Sequence, residues 1–466
     1  MIRTKEGGNQ YEHSLDHALE FFSKAGSLFD KADSFYSDQE SALSLFQKTW
    51  IVDKETTFKL LLWLRDVRGG AGNRSGFRSC LRWLANHDGE DWIKENIGWV
   101  PEVGRWDDLR ALFNTLCEDS AVNIWKQAII DKNVLAAKWA DRKDFALKHA
   151  LGFRKEGEFR KFLAKLRKNH IVEHKMSTHN WSDIDYHTVP SLAMARYTNA
   201  FKKHDQDRFE NYKESLKKGE STVHADVLFP HDCVRTSRFG DKEIADAQFD
   251  ALPNYLEGSN ERIIVISDTS GSMTNSISGS IRAVDVSQGM ALYCSSRIPQ
   301  DSPFYKKFIG FCSESEFKDW EGLTFSQAVS DRHIFDEAVG ATRIDTALDL
   351  ILKAAKFFKI PQSLMPTALL IVSDMQFHEG SCFGHGESEV NKAMKKWSNH
   401  GYNSPKVIYW NTAGYAGSPN TAYGKNIAMV SGFSPAILKA IFSGTDLTPV
   451  GVMKRALEKY KINIPK

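Results

Sequence analysis

Apolar residues recur every three or four positions from about residue 14 to about residue 220. This spacing is typical of helices with one buried face, so it predicts an all-α region. The clearest predicted helix begins near Asp53 and runs to Arg65. We expect Arg68-Gly69-Gly70 to close it, because glycine can adopt the left-handed conformation that ends a helix. A second helix is predicted from near Asn73, and a third after Gly104. The short linkers between them indicate antiparallel helix pairs stacked as an α-solenoid, which is a helical-repeat (HEAT-like) architecture.

The pattern changes beyond about residue 255, where short β-branched and aromatic runs alternate with helical periodicity, for example at residues 281–293 and 346–358. Short apolar runs followed by polar loops are typical of strands buried on both faces of a parallel sheet. We therefore expect a helical domain in residues 1–255 and a doubly wound, Rossmann-like α/β domain in residues 256–466. The predicted strands are residues 263–266, 307–311, 368–372, 407–410 and 427–430.

Composition narrows the class of protein. A chain of 466 residues that is 42% hydrophobic is too long for one ordinary core and too apolar to be disordered. Its net charge of +2 gives no strong overall electrostatic attraction to nucleic acid or to a membrane, so any basic surface must be local. The six cysteines form no C-x-x-C pair, which favours a reducing compartment. With no signal peptide and no apolar run of about 20 residues, we expect a cytoplasmic protein that does not enter a membrane.

The loop after the first predicted strand carries the strongest chemical signal. Asp268, Ser270 and Ser272 occupy alternate positions of one tight turn, so their oxygens can point the same way. Functional loops gather at the carboxyl ends of strands in an open parallel sheet. Converging hard oxygen ligands suit Mg²⁺ or Mn²⁺, and the sequence predicts such a site here.

The Asp-x-Ser-x-Ser order after a first strand resembles the metal-ion-dependent adhesion site of von Willebrand factor A domains. The resemblance implies that two further residues complete the metal site. They are Thr342, in a Gly-Ala-Thr run where that family usually has Gly-Gly-Thr, and Asp374, after the strand predicted at residues 368–372. It also implies that an Asp or Glu from a protein partner can complete the coordination sphere. An interaction or assembly module is therefore the alternative function.

Catalytic and zinc-binding alternatives have less support. Phosphoaspartyl hydrolases need a second acid two residues after the first, and position 270 is Ser, so we expect no enzymatic activity of that kind. A metal-dependent hydrolase remains a third hypothesis. His378, Cys382 and His385 have spacing that could accommodate zinc, but a polar loop explains them better.

A local excess of positive charge lies in residues 142–175, which hold eleven basic and four acidic residues. If residues 157–169 are helical, Lys161, Lys165 and Lys168 fall together on the face opposite an apolar stripe. Such a face fits phosphate backbones, although an ordinary solvated helix face has the same pattern. Four aromatic residues lie within or beside this basic stretch, and we expect them to belong to the hydrophobic core rather than to stack on bases: Trp139, Phe145, Phe153 and Tyr197.

The order of the two halves is similar to the Ro autoantigen family, whose TROVE module is a ring of helical repeats. Residues 58–74, FKLLLWLRDVRGGAGNR, resemble that module's helix and Gly-rich turn. An uncharacterised branch from plants, microbes and large viruses is similar over nearly the whole chain, through VPEVGRWDDL (100–109), WSDIDY (181–186), VPS (189–191) and VSDMQF (372–377).

The Ro resemblance implies a non-enzymatic ribonucleoprotein component that binds small noncoding or misfolded RNA, with single-stranded ends threading a basic ring. We expect RNA to contact Arg65, Arg68, Arg74, Arg142, Lys143, Arg160, Lys161, Lys165, Arg167 and Lys168.

Overall fold

Between His17 and Asp250, the regular secondary structure of the described residues is helical, as predicted. The computed structural model describes residues 2–4, 7, 9–28, 41–168, 171–225, 227–278, 281–335, 340–378, 389–415, 417–422, 424–444 and 447–465. The helices of this half are α1 (His17–Lys24), α2 (Ala42–Val52), α3 (Lys54–Arg65), α4 (Arg74–Ala85), α5 (Glu90–Asn96), α6 (Trp99–Val103), α7 (Glu118–Ile130), α8 (Val134–Trp139), α9 (Phe145–Ala150), α10 (Glu156–Arg167), α11 (Val172–Ser177), α12 (Ser191–His204), α13 (Gln206–Lys217), α14 (Pro230–Phe239) and α15 (Lys242–Asp250).

The predicted starts of α3 and α4 are confirmed by their caps. The Asp53 carboxylate accepts a hydrogen bond from Thr56 N, and the Asn73 side chain accepts one from Gly76 N. Each cap satisfies a backbone N–H that has no partner within its helix. The third predicted helix is a 3₁₀ segment at Trp106–Leu112.

The predicted run of α3 to Arg65 is confirmed, but its C-cap is Asp66, and the Gly-rich run expected to close the helix forms a separate turn after it. Among the glycines of the following turn, Gly72 takes the left-handed conformation, with φ +74°. Gly70 is needed for close approach instead, since a Cβ there would lie 2.0 Å from the Trp63 carbonyl oxygen. The turn is thus built by packing as well as by backbone freedom.

The second half is built on a six-stranded, mostly parallel sheet with the order β10-β9-β8-β3-β6-β7. All five predicted strands are confirmed in it. Its missed member, β7, is an antiparallel edge strand whose sequence, SEFKD, holds a single apolar residue. The strands of this sheet are β3 (Ile263–Asp268), β6 (Lys307–Phe311), β7 (Ser315–Asp319), β8 (Ala368–Ser373), β9 (Lys406–Asn411) and β10 (Ile427–Ser431). Two short hairpins pair β1 (Ile2–Arg3) with β2 (Asn9–Gln10) and β4 (Ser276–Ser278) with β5 (Ile281–Arg282).

Helices alternate with these strands, which confirms the α + α/β fold class. The order of strands reverses after β3, since β6 lies on one side of it and β8, β9 and β10 extend on the other. That reversal is typical of doubly wound sheets, and it opens a crevice at the carboxyl ends of β3 and β8. The helices are α16 (Ala283–Arg297), α17 (Phe325–Ser330), α18 (Ile344–Phe357), α19 (Glu389–Asn399), α20 (Ile437–Phe442) and α21 (Pro449–Leu457).

The two halves share one hydrophobic core. A continuous cluster of buried side chains runs from Leu19 in α1 to Tyr460 after α21, and a smaller cluster occupies part of the region from Val172 to Ile244. The first residues of the chain lie against the α/β half, where Tyr11 bridges to Ser418. None of the helices among the described residues is long and apolar enough to cross a membrane.

Candidate functional site

The loop after β3 brings its oxygens together as the sequence predicts. Asp268 ends β3, and its Oδ1 accepts a hydrogen bond of 2.9 Å from the Ser270 backbone N–H. The hydroxyls of Ser270 and Ser272 lie 3.2 Å apart. Asp268 and Ser270 are buried, whereas Ser272 is half-buried and gives the group an opening to solvent.

The register of the sheet places Asp374 beside the Asp268 loop. Because β8 pairs in parallel with β3, with Ser267 opposite Val372, Asp374 emerges beside the end of β3. The Ser373 hydroxyl donates a hydrogen bond of 2.5 Å to Asp268 Oδ2 and so joins the two strand ends. Asp374 is itself buried.

Thr342 lies in a loop that is held by hydrogen bonds on two sides. Gly271 N donates to Gly340 O at 3.5 Å, which ties the Gly-Ala-Thr run to the Asp268 loop. Thr342 N donates to His378 Nδ1 at 2.7 Å, and His378 N donates back to Thr342 O at 2.9 Å. Thr342 is buried, so its hydroxyl has little freedom to leave this arrangement.

The electrostatics of this oxygen cluster (Asp268, Ser270, Ser272, Thr342 and Asp374) favour a cation. Burial and the neighbouring Asp374 carboxylate raise the pKa of Asp268 to about 7, although hydrogen bonds from Ser373 and Ser270 favour its ionised form. The Asp268 carboxylate has no ion pair with a lysine or arginine of the described chain. Two buried carboxylates and three hydroxyls are hard oxygen donors, which fits Mg²⁺ or Mn²⁺.

Of the three candidate zinc ligands, only His378 lies among the described residues. Cys382 and His385 lie outside the described residues, and His378 is engaged with Thr342 through Nδ1. Within the described ranges, no three His, Cys, Asp or Glu residues are grouped as metal ligands. The oxygen cluster contains only two such residues, since its other donors are hydroxyls.

The basic helix has the predicted faces. Phe159 and Leu163 of α10 are buried, and Lys161, Lys165 and Lys168 are exposed. Phe145, the first residue of α9, is 55% exposed, and Lys148 Nζ lies 4.9 Å from its ring centroid. This aromatic residue is therefore not part of the core.

Most cations of this region reach solvent without a carboxylate. We call the following exposed residues the basic segment, and none of them forms an ion pair with a described residue: Arg142, Lys143, Arg154, Lys155, Arg160, Lys161, Lys165 and Lys168. Arg167 differs, because it is half-buried and donates from Nε to Leu163 O at 3.2 Å.

The three arginines near the Gly-rich turn have different environments. Arg65 is 2% exposed and donates from Nε to Asp108 Oδ2 at 2.8 Å, so it is buried and ion-paired, and its predicted contact with phosphate stays a prediction. Arg74 is partly exposed and ion-paired with Asp107 and Asp108. Arg68 is exposed.

Sequence reasoning missed Arg78 and Arg105, which lie with Arg65 and Arg74 along one cleft. Arg78 is four residues after Arg74 on α4, so helical spacing could have paired them. Arg105 is adjacent only through folding, and nothing in its local sequence marks it.

Fold and site together define a helical-repeat protein joined to an α/β domain with a candidate divalent-metal site at the carboxyl edge of its sheet. The chain belongs to the family described as Domain of unknown function (DUF2828), whose model matches residues 4–155 and 148–261. A second family model, described as Domain of unknown function (DUF7788), matches residues 262–459.

Two known proteins are similar to this chain over most of its length. The chain is 25% identical over 528 residues to the uncharacterized protein L728 of Acanthamoeba polyphaga mimivirus, covering 99% of this chain and 88% of the viral protein. It is also similar to the RO (RSR) protein of Deinococcus radiodurans, with 13% identity and a TM-score of 0.38, covering 96% of this chain and 100% of the other. That TM-score is too low to carry an inference about function.

Proposed function

We propose that this protein binds RNA through the basic segment and that its role is binding rather than catalysis. The observation that carries the proposal is the absence of carboxylate partners around the eight exposed cations of residues 142–168, among the described residues. Several lysines elsewhere on the helical half are paired with carboxylates, as in Lys54 with Asp88, Lys94 with Glu90 and Lys217 with Glu243. An unneutralised row of cations attracts a polyanion by releasing its counterions.

Single-stranded RNA is the expected form. The basic segment includes both loop and helix residues, and an exposed aromatic ring, Phe145, lies within it. Exposed aromatic side chains beside cations offer stacking surfaces to unpaired bases. Small noncoding RNAs and misfolded RNAs, which carry unpaired ends, are therefore the proposed substrate class.

Charge reversal tests the proposal. The triple variant Lys161→Glu, Lys165→Glu, Lys168→Glu is expected to bind a 5′-hydroxyl single-stranded RNA of about 20 nucleotides at least about tenfold more weakly than the wild type at low salt. Fluorescence anisotropy with the full chain measures the affinity. The matched control is Lys353→Glu, Lys356→Glu, Lys359→Glu, which makes the same charge change on exposed residues in and just after α18. An equal loss in both variants, or no binding by the wild type, would contradict the proposal.

The oxygen cluster favours a second function. We propose that Asp268, Ser270, Ser272, Thr342 and Asp374 hold Mg²⁺ or Mn²⁺ and that an Asp or Glu of a protein partner completes the coordination. The supporting observation is that two buried carboxylates follow neighbouring strand ends, where burial and then the charge of Asp374 raise the pKa of Asp268. A divalent cation at this place would supply Lewis-acidic positions for an incoming carboxylate.

Manganese binding tests this second proposal. Titration of Mn²⁺ followed by electron paramagnetic resonance is expected to show one saturable site in the wild type and at least about tenfold weaker binding in Asp268→Asn. The exposed Asp301 provides the control variant Asp301→Asn, which should bind as the wild type does. Equal binding by all three proteins would place the metal elsewhere.

A further inference from the structure

A cleft of about 510 Å³ is lined mostly by the helical half, with Ile281 and Phe433 contributed by the α/β half. Arginine side chains from α3, from α4 and from the start of the 3₁₀ segment Trp106–Leu112 line it. Phe229 and His231 at the start of α14 and Phe433 after β10 form an aromatic part of the same lining. A cleft of this volume is within the range of small-molecule sites in proteins.

Arginines outnumber carboxylates on the lining. Arg65, Arg74, Arg78 and Arg105 face the cleft, and the acid exposed there is Asp232, which accepts a hydrogen bond of 3.0 Å from Phe229 N. The two other nearby acids, Asp107 and Asp108, are buried behind the arginines. Each of these two carboxylates is shared among several arginines. Asp107 pairs with Arg74, Arg78 and Arg110, and Asp108 pairs with Arg65, Arg74 and Arg78.

Arg105 has no carboxylate of its own within the described chain. Its guanidinium lies 4.8 Å from the Trp139 ring centroid, which fixes its orientation. Burial and the positive charges of Arg74 and Arg65 lower the pKa of Arg105. An anion between these guanidinium groups would offset their repulsion, and planar guanidinium groups bind phosphate bidentately.

The aromatic part of the lining is continuous. The ring centroids of Phe229 and His231 lie 5.6 Å apart, and those of His231 and Phe433 lie 5.3 Å apart. Burial lowers the pKa of His231, so its ring is neutral and adds to the apolar part of the lining. A flat ring with one apolar face fits such a surface.

We propose that this cleft binds a nucleoside 5′-phosphate, with the phosphate on Arg105, Arg74 and Arg78 and the base against Phe229 and Phe433. The same chemistry is present in a free mononucleotide and in the 5′-phosphorylated end of an RNA. The free-nucleotide source is independent of the basic segment, whereas the RNA-end source rests on the RNA binding proposed above.

Calorimetric titration of the full chain with adenosine 5′-monophosphate tests the proposal. We expect saturable binding with a Kd below about 1 mM, and at least about tenfold weaker binding of adenosine, which lacks the phosphate. Arg105→Gln should weaken nucleotide binding at least about tenfold, and Arg105→Lys should weaken it less because the charge remains. Arg332→Gln, at an exposed arginine of the α/β half, is the control and should leave the affinity unchanged. Thermal melts establish that each variant is folded, and the Lys variant serves if the Gln variant is not.

Anisotropy with 5′-phosphorylated and 5′-hydroxyl RNA distinguishes the two sources. A preference for the phosphorylated RNA that disappears in Arg105→Gln assigns the cleft to RNA ends, and Arg105-dependent binding of the mononucleotide alone assigns it to a free nucleotide. The inference is overturned if no phosphorylated ligand binds saturably up to about 5 mM, or if Arg105→Gln and Arg105→Lys both bind as the wild type does. If the mononucleotide binds through Arg105 while 5′-hydroxyl RNA does not bind at all, the cleft stands and the proposed RNA binding fails.

Discussion

Asp268 carries a proton in the folded, metal-free protein under conditions where the unfolded chain has lost it. Burial and the Asp374 carboxylate raise its pKa from 3.8 to about 7. Between about pH 4 and pH 7 the folded state therefore binds more protons than the unfolded state at this residue. The contribution of Asp268 to stability is present at the acidic end of that window and is lost as pH rises through 7.

This loss of stability with rising pH gives a prediction for the metal-free protein. In a chelating buffer, the free energy of unfolding of the wild type relative to Asp268→Asn should fall as the pH is raised from 5 to about 7.5. Added Mg²⁺ should reverse the fall at the upper pH, because a cation stabilises the ionised carboxylate. Denaturant unfolding at each pH measures the difference. A difference that stays constant with pH would show that Asp268 titrates as an ordinary carboxyl group.

At the scale of elements, apolar pattern predicted the five parallel strands because each is buried on both faces and reads as one apolar run. The edge strand β7 was missed because its sequence, SEFKD, holds a single apolar residue and so forms no apolar run. The oxygen cluster was predictable for a related reason, since residues that follow neighbouring parallel strands meet at one edge of the sheet. Arg105 and the burial of Arg65 were not predictable, because both depend on how α4 packs against the 3₁₀ segment at Trp106–Leu112.

The Gly-rich turn between α3 and α4 gives a test at this scale. Gly70→Ala should destabilise the protein by at least about 2 kcal/mol, because the new Cβ would lie 2.0 Å from the Trp63 carbonyl oxygen. Gly157→Ala in α10 is the matched control, since a Cβ there meets nothing within 4 Å. It should leave stability unchanged or raise it by up to about 1 kcal/mol. Thermal and denaturant unfolding measure both, and equal effects would mean that the turn tolerates a side chain.

At the scale of the whole molecule, the halves are fastened by polar contacts as well as by a shared core. Asp66, the C-cap of α3, accepts hydrogen bonds from Lys459 Nζ at 2.5 Å and from the Tyr460 hydroxyl at 2.9 Å. The Ser27 hydroxyl donates to Asn411 O at 2.6 Å. Burial alone would raise the pKa of Asp66. The charge of Lys459 and the hydrogen bonds that Asp66 accepts from Lys459 and Tyr460 nevertheless keep this pKa below its usual value.

Asp66→Asn should therefore loosen the contact between the halves. We expect a loss of about 1 to 3 kcal/mol in the free energy of unfolding, because Lys459 and Tyr460 lose a charged acceptor. Glu55→Gln, which removes an exposed pair with Lys59 within α3, should cost about 0.5 kcal/mol or less. Chemical denaturation followed by tryptophan fluorescence compares the two, and equal losses would contradict a special role for Asp66.

The salt dependence of RNA affinity tests the central claim most directly. Plots of log Kd against log salt concentration for single-stranded RNA should be steep for the wild type. In the neutralised variant Lys161→Gln, Lys165→Gln, Lys168→Gln the slope should decrease by about 2, since each lost phosphate contact removes about 0.7. The control Lys353→Gln, Lys356→Gln, Lys359→Gln should retain the wild-type slope. A wild type that binds no RNA at low salt, or a slope that the α10 substitutions leave unchanged, would contradict the assignment of RNA binding to the basic segment.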